Sequence, residues 1–425
     1  MPLLRAALGL LFFCALAWSL SAHKRRIAGR VVIFGVLMQF GLAWFILGTG
    51  WGEQVFQTLA DTVTKLIGMT DYGSSLVFGP LAQPEVLGSA LGPEHGVVFA
   101  FKALTVIIFF SALMSILYHL GVMQVLVWCI AKVMSALLGV SGVESMAMAA
   151  NIFVGQTEAP LVVRPYIPRM TLSEMNALMT GGFATIAGSV LAVYIGVLGP
   201  GFATHLLTAS VMSAPAAFMI AKLMLPETEQ AETAGKVELR IERTASNVIE
   251  AAANGTADGL KLWLNVIAML IAFTALVHLV DWPLGSVGEW LGVSGGLSLS
   301  RCFGWLFAPF AWMIGIDGWH DCQLVGSLLG TKIAVNEFVA FTELAKLLPE
   351  HGGVLAFDSA RSAKLAAYAL CGFANFSSIG IQLGGISPLA PERKTDLSRL
   401  ALKAMIGGAF ASWSTAAVAG VFIQS

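Results

Sequence analysis

The sequence predicts an all-α polytopic membrane protein with eight transmembrane helices and two re-entrant hairpins in an inverted repeat. Three observations point there. Of 425 residues, 57% are hydrophobic and only 12% charged, whereas soluble globular chains carry about 25% charge. Apolar runs near the roughly 20 residues a helix needs to cross a bilayer recur along the whole chain. Two polar segments, each with a central glutamate, interrupt these runs at matching places in the two halves. The lipid bilayer is therefore the first partner. A formal net charge of -1, with no basic patch, argues against nucleic acid.

The first apolar run, "LLRAALGLLFFCALAWSLSA", has only Arg5 in front of its core, while Lys24, Arg25, Arg26 and Arg30 follow it. A cleaved signal peptide carries its positive charge ahead of the core. The run is therefore read as a retained span, 3–21, with the N-terminus outside by the positive-inside rule. Further spans fall near 31–49, 96–117, 170–198, 202–224, 259–280, 362–384 and 402–423. The even count puts the C-terminus outside as well. Most basic residues then lie on the cytoplasmic side, and Lys346, Arg361 and Lys364 dissent. Residues 226–250 form the long hydrophilic stretch, read as a cytoplasmic connection with a surface helix.

Two apolar segments resist counting as spans. Residues 141–165 hold "NIFVGQTEAP" and residues 317–345 hold "GTKIAVNEFVAF", with polar and charged residues in mid-segment. Loop charges balance only if each segment enters and leaves on one side. Non-helical backbone at membrane depth needs protein or a water-filled cavity around it, so both are read as re-entrant hairpins.

The halves also repeat. "GVSGVES" (139–145) matches "GIDGWHD" (315–321) in glycine spacing. Each leads to a central glutamate, Glu158 or Glu337, and then to a Gly-Phe-Ala, in "GGFATIAGS" (181–189) and "CGFANFSSIG" (371–380). An odd number of full spans per copy turns the copies opposite ways. That is the plan of secondary transporters, whose site lies at the midplane between broken helices. Spans four and seven lose helical character just after these motifs, at 185–189 and 375–380, which frees backbone groups for ions or polar ligands.

A carboxylate at the bilayer centre costs roughly 2.5–3.5 kcal/mol on insertion scales, so Glu158 and Glu337 each answer to a ligand or a partner. The bland alternatives are a salt bridge from Glu337 to Lys332, and hydrogen bonding that shapes the hairpin tip for Glu158. As acceptors, the two suit a ligand rich in hydroxyl or N–H donors. Gln156 adds a donor and an acceptor, and Thr157 a hydroxyl. Such a set reads the edge of a heterocycle or a sugar diol, on which Phe373 can pack. The five cysteines, Cys14, Cys129, Cys302, Cys322 and Cys371, show no paired metal spacing. Cys302, His320 and Cys322 come nearest to a ligand set and are read as bystanders. The chain has no nucleophile-plus-base pattern, so it is not read as an enzyme.

Occurring together and in order, "GQTEAP", "NEFVAF" and "CGFANFSSIGIQ" resemble the concentrative nucleoside transporters in their bacterial eight-span form, over essentially the whole chain. The resemblance implies secondary active import of nucleosides across the bacterial cytoplasmic (inner) membrane, by a homotrimer working as an elevator. It implies a scaffold mainly in 1–140 (spans 1–3 and interfacial helices) and the first half of a transport domain in 141–225. Residues 226–316 would supply the connection, scaffold span 6 and an interfacial helix, and 317–425 the second half of the transport domain. By motif position, Gly155, Gln156, Thr157, Glu158 and Val190 would contact the nucleobase. Glu337, Phe373, Asn375 and Ser378 would contact the ribose. Sodium, the coupling ion and the one ion implied, would sit on carbonyls of Asn151, Val154, Thr185 and Ile186, with the Thr185 hydroxyl. Proton coupling through Glu158 or Glu337 is the alternative. A channel fits less well, because channels build ring-like filters on a symmetry axis.

Overall fold

The structure, a computed structural model, describes residues 2–92, 98–233, 245–293, 296–349 and 356–423. Among these residues it is all-helical, with no strand. The N-terminal third comprises α1 (Pro2–Ser19), α2 (Gly29–Gly48), α3 (Gly50–Phe78), α4 (Pro84–Leu91), α5 (Phe99–Lys102) and α6 (Val106–His119). Then come α7 (Val122–Leu138), α8 (Gly142–Asn151), α9 (Ala159–Val162), α10 (Leu172–Ala184), α11 (Gly188–Leu198) and α12 (Ala203–Met224). After α13 (Val248–Trp290) the same order returns. It runs α14 (Leu299–Ile314), α15 (Trp319–Ala334), α16 (Glu337–Lys346), α17 (Ala360–Leu370), α18 (Phe376–Ile386) and α19 (Lys394–Ala419). Each set reads helix, hairpin arm, hairpin arm, half-helix, half-helix, long helix. The repeat legible in the motifs is thus a repeat of elements.

Five helical stretches among the described residues are long and apolar enough to cross a membrane: Gly29–Gly48, Phe99–His119, Leu172–Leu198, Pro200–Met224 and Val248–Trp290. They fall on spans two to six of the sequence reading. The other three expected spans fall on α1, on the interrupted pair α17–α18 and on α19, whose first turns carry Lys394, Asp396, Arg399 and Lys403. Two expectations change. The span placed at 259–280 belongs to a helix of 43 residues, because the Ala-rich segment before it stays helical. The breaks expected in spans four and seven at 185–189 and 375–380 lie at 185–187 and 371–375, so the second falls on the Gly-Phe-Ala itself and residues 376–380 are helical. Of the expected surface helix within 226–250, residues 234–244 lie outside the described residues, and 226–233 are not helical.

Small residues set the packing. A Cβ on Gly255 of α13 would stand 2.6 Å from Ser111 O, and one on Gly259 would stand 2.7 Å from Ile108 Cα. Bare glycine therefore lets α13 lie against α6, the way membrane helices approach without a hydrophobic driving force. Gly326 likewise seats α15 on α14, since a Cβ there would come 2.7 Å from Ala308 N. These two helices fold back at an angle of 110°. At the centre α10, α12 and α19 pack together, and α1 and α2 lie against α19 and α12. Every residue of α10 from Ser173 to Ala184 is buried.

Ion pairs tie the ends of this core, buried at one end and partly exposed at the other. At one end Ser141 and Thr171 begin α8 and α10 with capping boxes closed by Glu144 and Glu174. Lys222 of α12 meets Glu144 at 2.7 Å and donates to Ser173 Oγ at 2.9 Å. At the other end Asp317 accepts from Arg5 at 2.5 Å and from Arg361 at 2.7 Å. Arg361 also donates to the carbonyls of Gly315, Gly420 and Ile423. This accounts for one dissenter from the charge rule. Arg361 is a buried tie between α17, the α14–α15 corner and the end of α19, where the rule concerns exposed loop charge.

Candidate functional site

The first hairpin turns over at 152–158. Its α8 arm ends at Asn151, and Pro160 near the start of α9 opens the return. The turn is pinned from two sides. Gly188 N donates to Phe153 O at 2.9 Å, and Ser210 Oγ of α12 donates to Ile152 O at 2.9 Å. Gly188 must be small here, because a Cβ would stand 2.9 Å from that same Phe153 oxygen. The tip is thereby held against the break between α10 and α11.

Within the tip, Gly155 and Gln156 are buried, Thr157 half-buried and Glu158 exposed. The Glu158 carboxylate folds back over Gly155, where a Cβ would collide with Oε2. Thr157 sits on Gly385 of α18, its methyl 2.6 Å from where a Cβ would be. Gln156 Oε1 accepts from Gln382 Nε2 at 3.1 Å. The first hairpin thus meets both broken helices.

The second hairpin turns at Val335–Asn336. Asn336 caps α16 by accepting from Val339 N at 2.8 Å, as N-cap side chains do. This places Glu337 in the first turn of α16, buried, with both carboxylate oxygens held. Tyr194 Oη of α11 donates to Oε1 at 2.9 Å, and Asn375 Nδ2 donates to Oε2 at 2.7 Å. Asn375 works in two directions, since its Oδ1 caps α18 by accepting from Ser378 N at 2.8 Å. Tyr194 is fixed by stacking on Phe341 at 4.2 Å between centroids. Lys332 does not ion-pair with Glu337. Its ammonium instead donates to Ala369 O at 2.9 Å and to Ser412 Oγ at 3.1 Å.

The two breaks touch. Gly372 has φ +139, and a Cβ there would stand 2.9 Å from the carbonyl oxygens of both Phe183 and Ala184. Only glycine accepts that backbone angle and that approach together. Phe373 follows at once, buried, and Val190 is buried on α11.

Asn151, Val154, Thr185 and Ile186 are all buried at the junction of the first tip with the first break. Among the described residues, no hydrogen bond engages their four backbone carbonyls. Asn151 also has both side-chain polar atoms buried without a partner. Its amide lies against Gly181, whose carbonyl accepts from Thr185 Oγ1 at 2.9 Å. Buried polar groups are ordinarily paired. A cluster of bare oxygens at a broken helix has the donor chemistry that hard alkali cations take.

The structure thus gathers the residues expected at a site around two hairpin tips and two breaks. Sequence reasoning did not single out Tyr194 or Gln382. The signal was there in each case: a polar side chain in an otherwise apolar helix, needing a partner. Among the described residues His320 groups with Asp321 and Asp358, and neither Cys302 nor Cys322 belongs to that group. Asp321 is already committed, accepting from Asp358 N at 2.8 Å and Ser359 N at 3.3 Å.

Comparison with known proteins adds to this geometry. Residues 205–420 match a family model described as "Na+ dependent nucleoside transporter C-terminus", and residues 8–81 match its N-terminal counterpart. Residues 100–201 match a model described as "Nucleoside recognition". The chain is 44% identical over 423 residues to an uncharacterized transporter of Haemophilus influenzae, covering 98% of that protein. It is 43% identical to solute carrier family 28 member 3 and 40% identical to sodium/nucleoside cotransporter 1, both of Mus musculus. Those alignments take in 97% of this chain but only 58% and 63% of the mouse proteins. Among solved structures, CNTnw in an inward-facing substrate-bound state is 41% identical with a TM-score of 0.92, over 99% of this chain and 98% of that one. A doubly substituted CNTnw in an outward-facing state superposes equally well, at 40% identity with a TM-score of 0.92 over the same shares of both chains.

Proposed function

The chain belongs to the family of Na+ dependent nucleoside transporters, and from that premise we propose that it imports nucleosides by sodium symport. It is a multi-pass membrane protein and a transporter, not an enzyme. The finer reading puts it in the bacterial cytoplasmic membrane as a homotrimer, with both termini on the outer side.

In this reading Gly155, Gln156, Thr157, Glu158 and Val190 meet the base, and Glu337, Phe373, Asn375 and Ser378 meet the ribose. An ionised carboxylate has about four acceptor sites. Tyr194 and Asn375 use two of those on Glu337, which leaves two for a sugar diol. Sodium is held by the carbonyls of Asn151, Val154, Thr185 and Ile186 and by the Thr185 hydroxyl, next to the tip that reads the base. Binding either one orders the same tip, so each favours the other.

Inward- and outward-facing states are known for CNTnw. For this chain we propose that both hairpins, α10–α12 and α17–α19 move as one body past a scaffold that includes α6 and α13. Since α1 and α2 pack on α12 and α19, we group them with the moving body and not with the scaffold expected from the sequence.

The observation that carries sodium coupling is the set of four unengaged carbonyls beside an unpartnered Asn151. A proton carrier has no use for such a cluster. The test is calorimetric titration of purified protein with uridine as sodium replaces choline at constant pH. Affinity should rise with sodium. Affinity independent of sodium would transfer the coupling to a proton on Glu158 or Glu337.

A further inference from the structure

Gln382 is fully buried on α18, a helix whose neighbouring side chains are mostly apolar. One nitrogen, Nε2, donates both of its hydrogens. One goes to Met179 O at 3.0 Å and the other to Gln156 Oε1 at 3.1 Å. Space for this pair is cut out at Gly182, where a Cβ would stand 2.6 Å from Gln382 Nε2 and 2.9 Å from Gln156 Cβ.

The chemistry fixes which way both amides face. A backbone carbonyl only accepts, so Gln382 must turn its nitrogen toward Met179. The second hydrogen on that nitrogen then requires an acceptor from Gln156, which must offer its oxygen. With Oε1 consumed, Gln156 is left with its Nε2 donors, and among the described residues no hydrogen bond engages them. Two residues on, Glu158 offers only acceptors when ionised. The tip therefore presents a donor beside an acceptor, in a fixed order.

We infer that Gln382 is a positioning residue that sets base selectivity, by locking Gln156 as a donor toward bases that carry a carbonyl beside a ring N–H. Uracil and hypoxanthine have that edge. Cytosine and adenine present the reverse order, an amino group beside a bare ring nitrogen. The inference rests on the proposed role of Gln156 at the base, and it names the nucleosides that role favours.

The test measures dissociation constants for uridine, cytidine, inosine and adenosine on purified full-length protein at fixed sodium. Wild type should favour uridine over cytidine and inosine over adenosine by about three- to tenfold, the worth of one neutral hydrogen bond. Gln382→Met removes the donated hydrogen to Gln156, and Gln382→Glu carries at most one hydrogen, which the Met179 carbonyl claims. Each frees the Gln156 amide to rotate and should bring both ratios toward one. A purely structural loss would weaken all four nucleosides alike and leave the ratios where they were. Unchanged ratios in a folded variant, or a wild-type preference for the amino-bearing bases, would overturn the inference and leave nucleoside transport intact. Absence of binding by any of the four would instead overturn the site reading beneath it. If Gln382→Met fails to fold, the near-isosteric Gln382→Glu and the wild-type ratio still decide.

Discussion

Replacing Glu337 with glutamine keeps the shape of the side chain and inverts half its hydrogen bonding. The carboxylate now takes donors from Tyr194 at 2.9 Å and Asn375 at 2.7 Å. An amide in its place must turn its own N–H group toward one of them. Toward Asn375 that is donor against donor, whereas toward Tyr194 it makes the phenol oxygen the acceptor and leaves the hydroxyl hydrogen without its present partner. The charge that strengthens any bond to a ribose hydroxyl also disappears. A hydrogen bond to a charged group is worth about 1.5–3 kcal/mol. At 1.4 kcal/mol per factor of ten, losing one such bond weakens nucleoside binding by roughly 10- to 150-fold. Calorimetry with uridine and 3′-deoxyuridine, on wild type and Glu337→Gln, gives a four-point cycle that isolates the pairing. Both single changes should cost at least about tenfold, and together they should cost clearly less than their product. Equal wild-type affinity for uridine and 3′-deoxyuridine would refute the ribose assignment, and so would strict additivity.

Three further outcomes follow from the geometry. Thr185→Val removes a hydroxyl from the bare-carbonyl junction, so the sodium concentration for half-maximal nucleoside binding should rise several-fold while affinity at saturating sodium stays near wild type. Gly372→Ala forces a side chain into φ +139 and against two carbonyls, a strain of about 1–3 kcal/mol before the clash is counted. The melting temperature in detergent should fall, whereas Gly380→Ala, with open space around it, should leave it unchanged or higher. Cysteine pairs joining α6 or α13 to the second hairpin should trap two states in different registers, each resolved by functional assay. Crosslinking in one register only would contradict motion of the hairpins past these helices.

Much of the architecture was legible because lipid leaves the chain few options. Apolar length marks helices, and a mid-segment glutamate with Gly155 or Asn336 shortly before it marks places where the helix stops. The first break, at 185–187, sits within the run of glycine, β-branched and short polar residues expected to hold it. The second falls earlier than expected, at 371–375, because Asn375 caps α18 and makes the small polar run after it helical. What escaped has equally physical causes. The helix Gly50–Phe78 was invisible to an apolar scan because Glu53, Asp61, Lys65 and Asp71 interrupt it. The 43-residue α13 outruns its apolar segment because helical propensity continues where hydropathy stops. Lys332 lies five residues before Glu337 in sequence, but the turn at Val335–Asn336 separates them, and the ammonium serves Ala369 and Ser412. Tyr194 and Gln382 were missed because their partners lie 143 and 226 residues away, a distance that only the folded repeat closes.

The central claim is that one moving site carries a nucleoside and sodium together. Its most direct test is uptake of radiolabelled uridine into proteoliposomes holding the purified protein, with an inward sodium gradient and equal pH on both sides. The account predicts accumulation above the external concentration, abolished when sodium is equal across the membrane. Mere equilibration under the sodium gradient, or accumulation driven by a pH gradient without sodium, would contradict it.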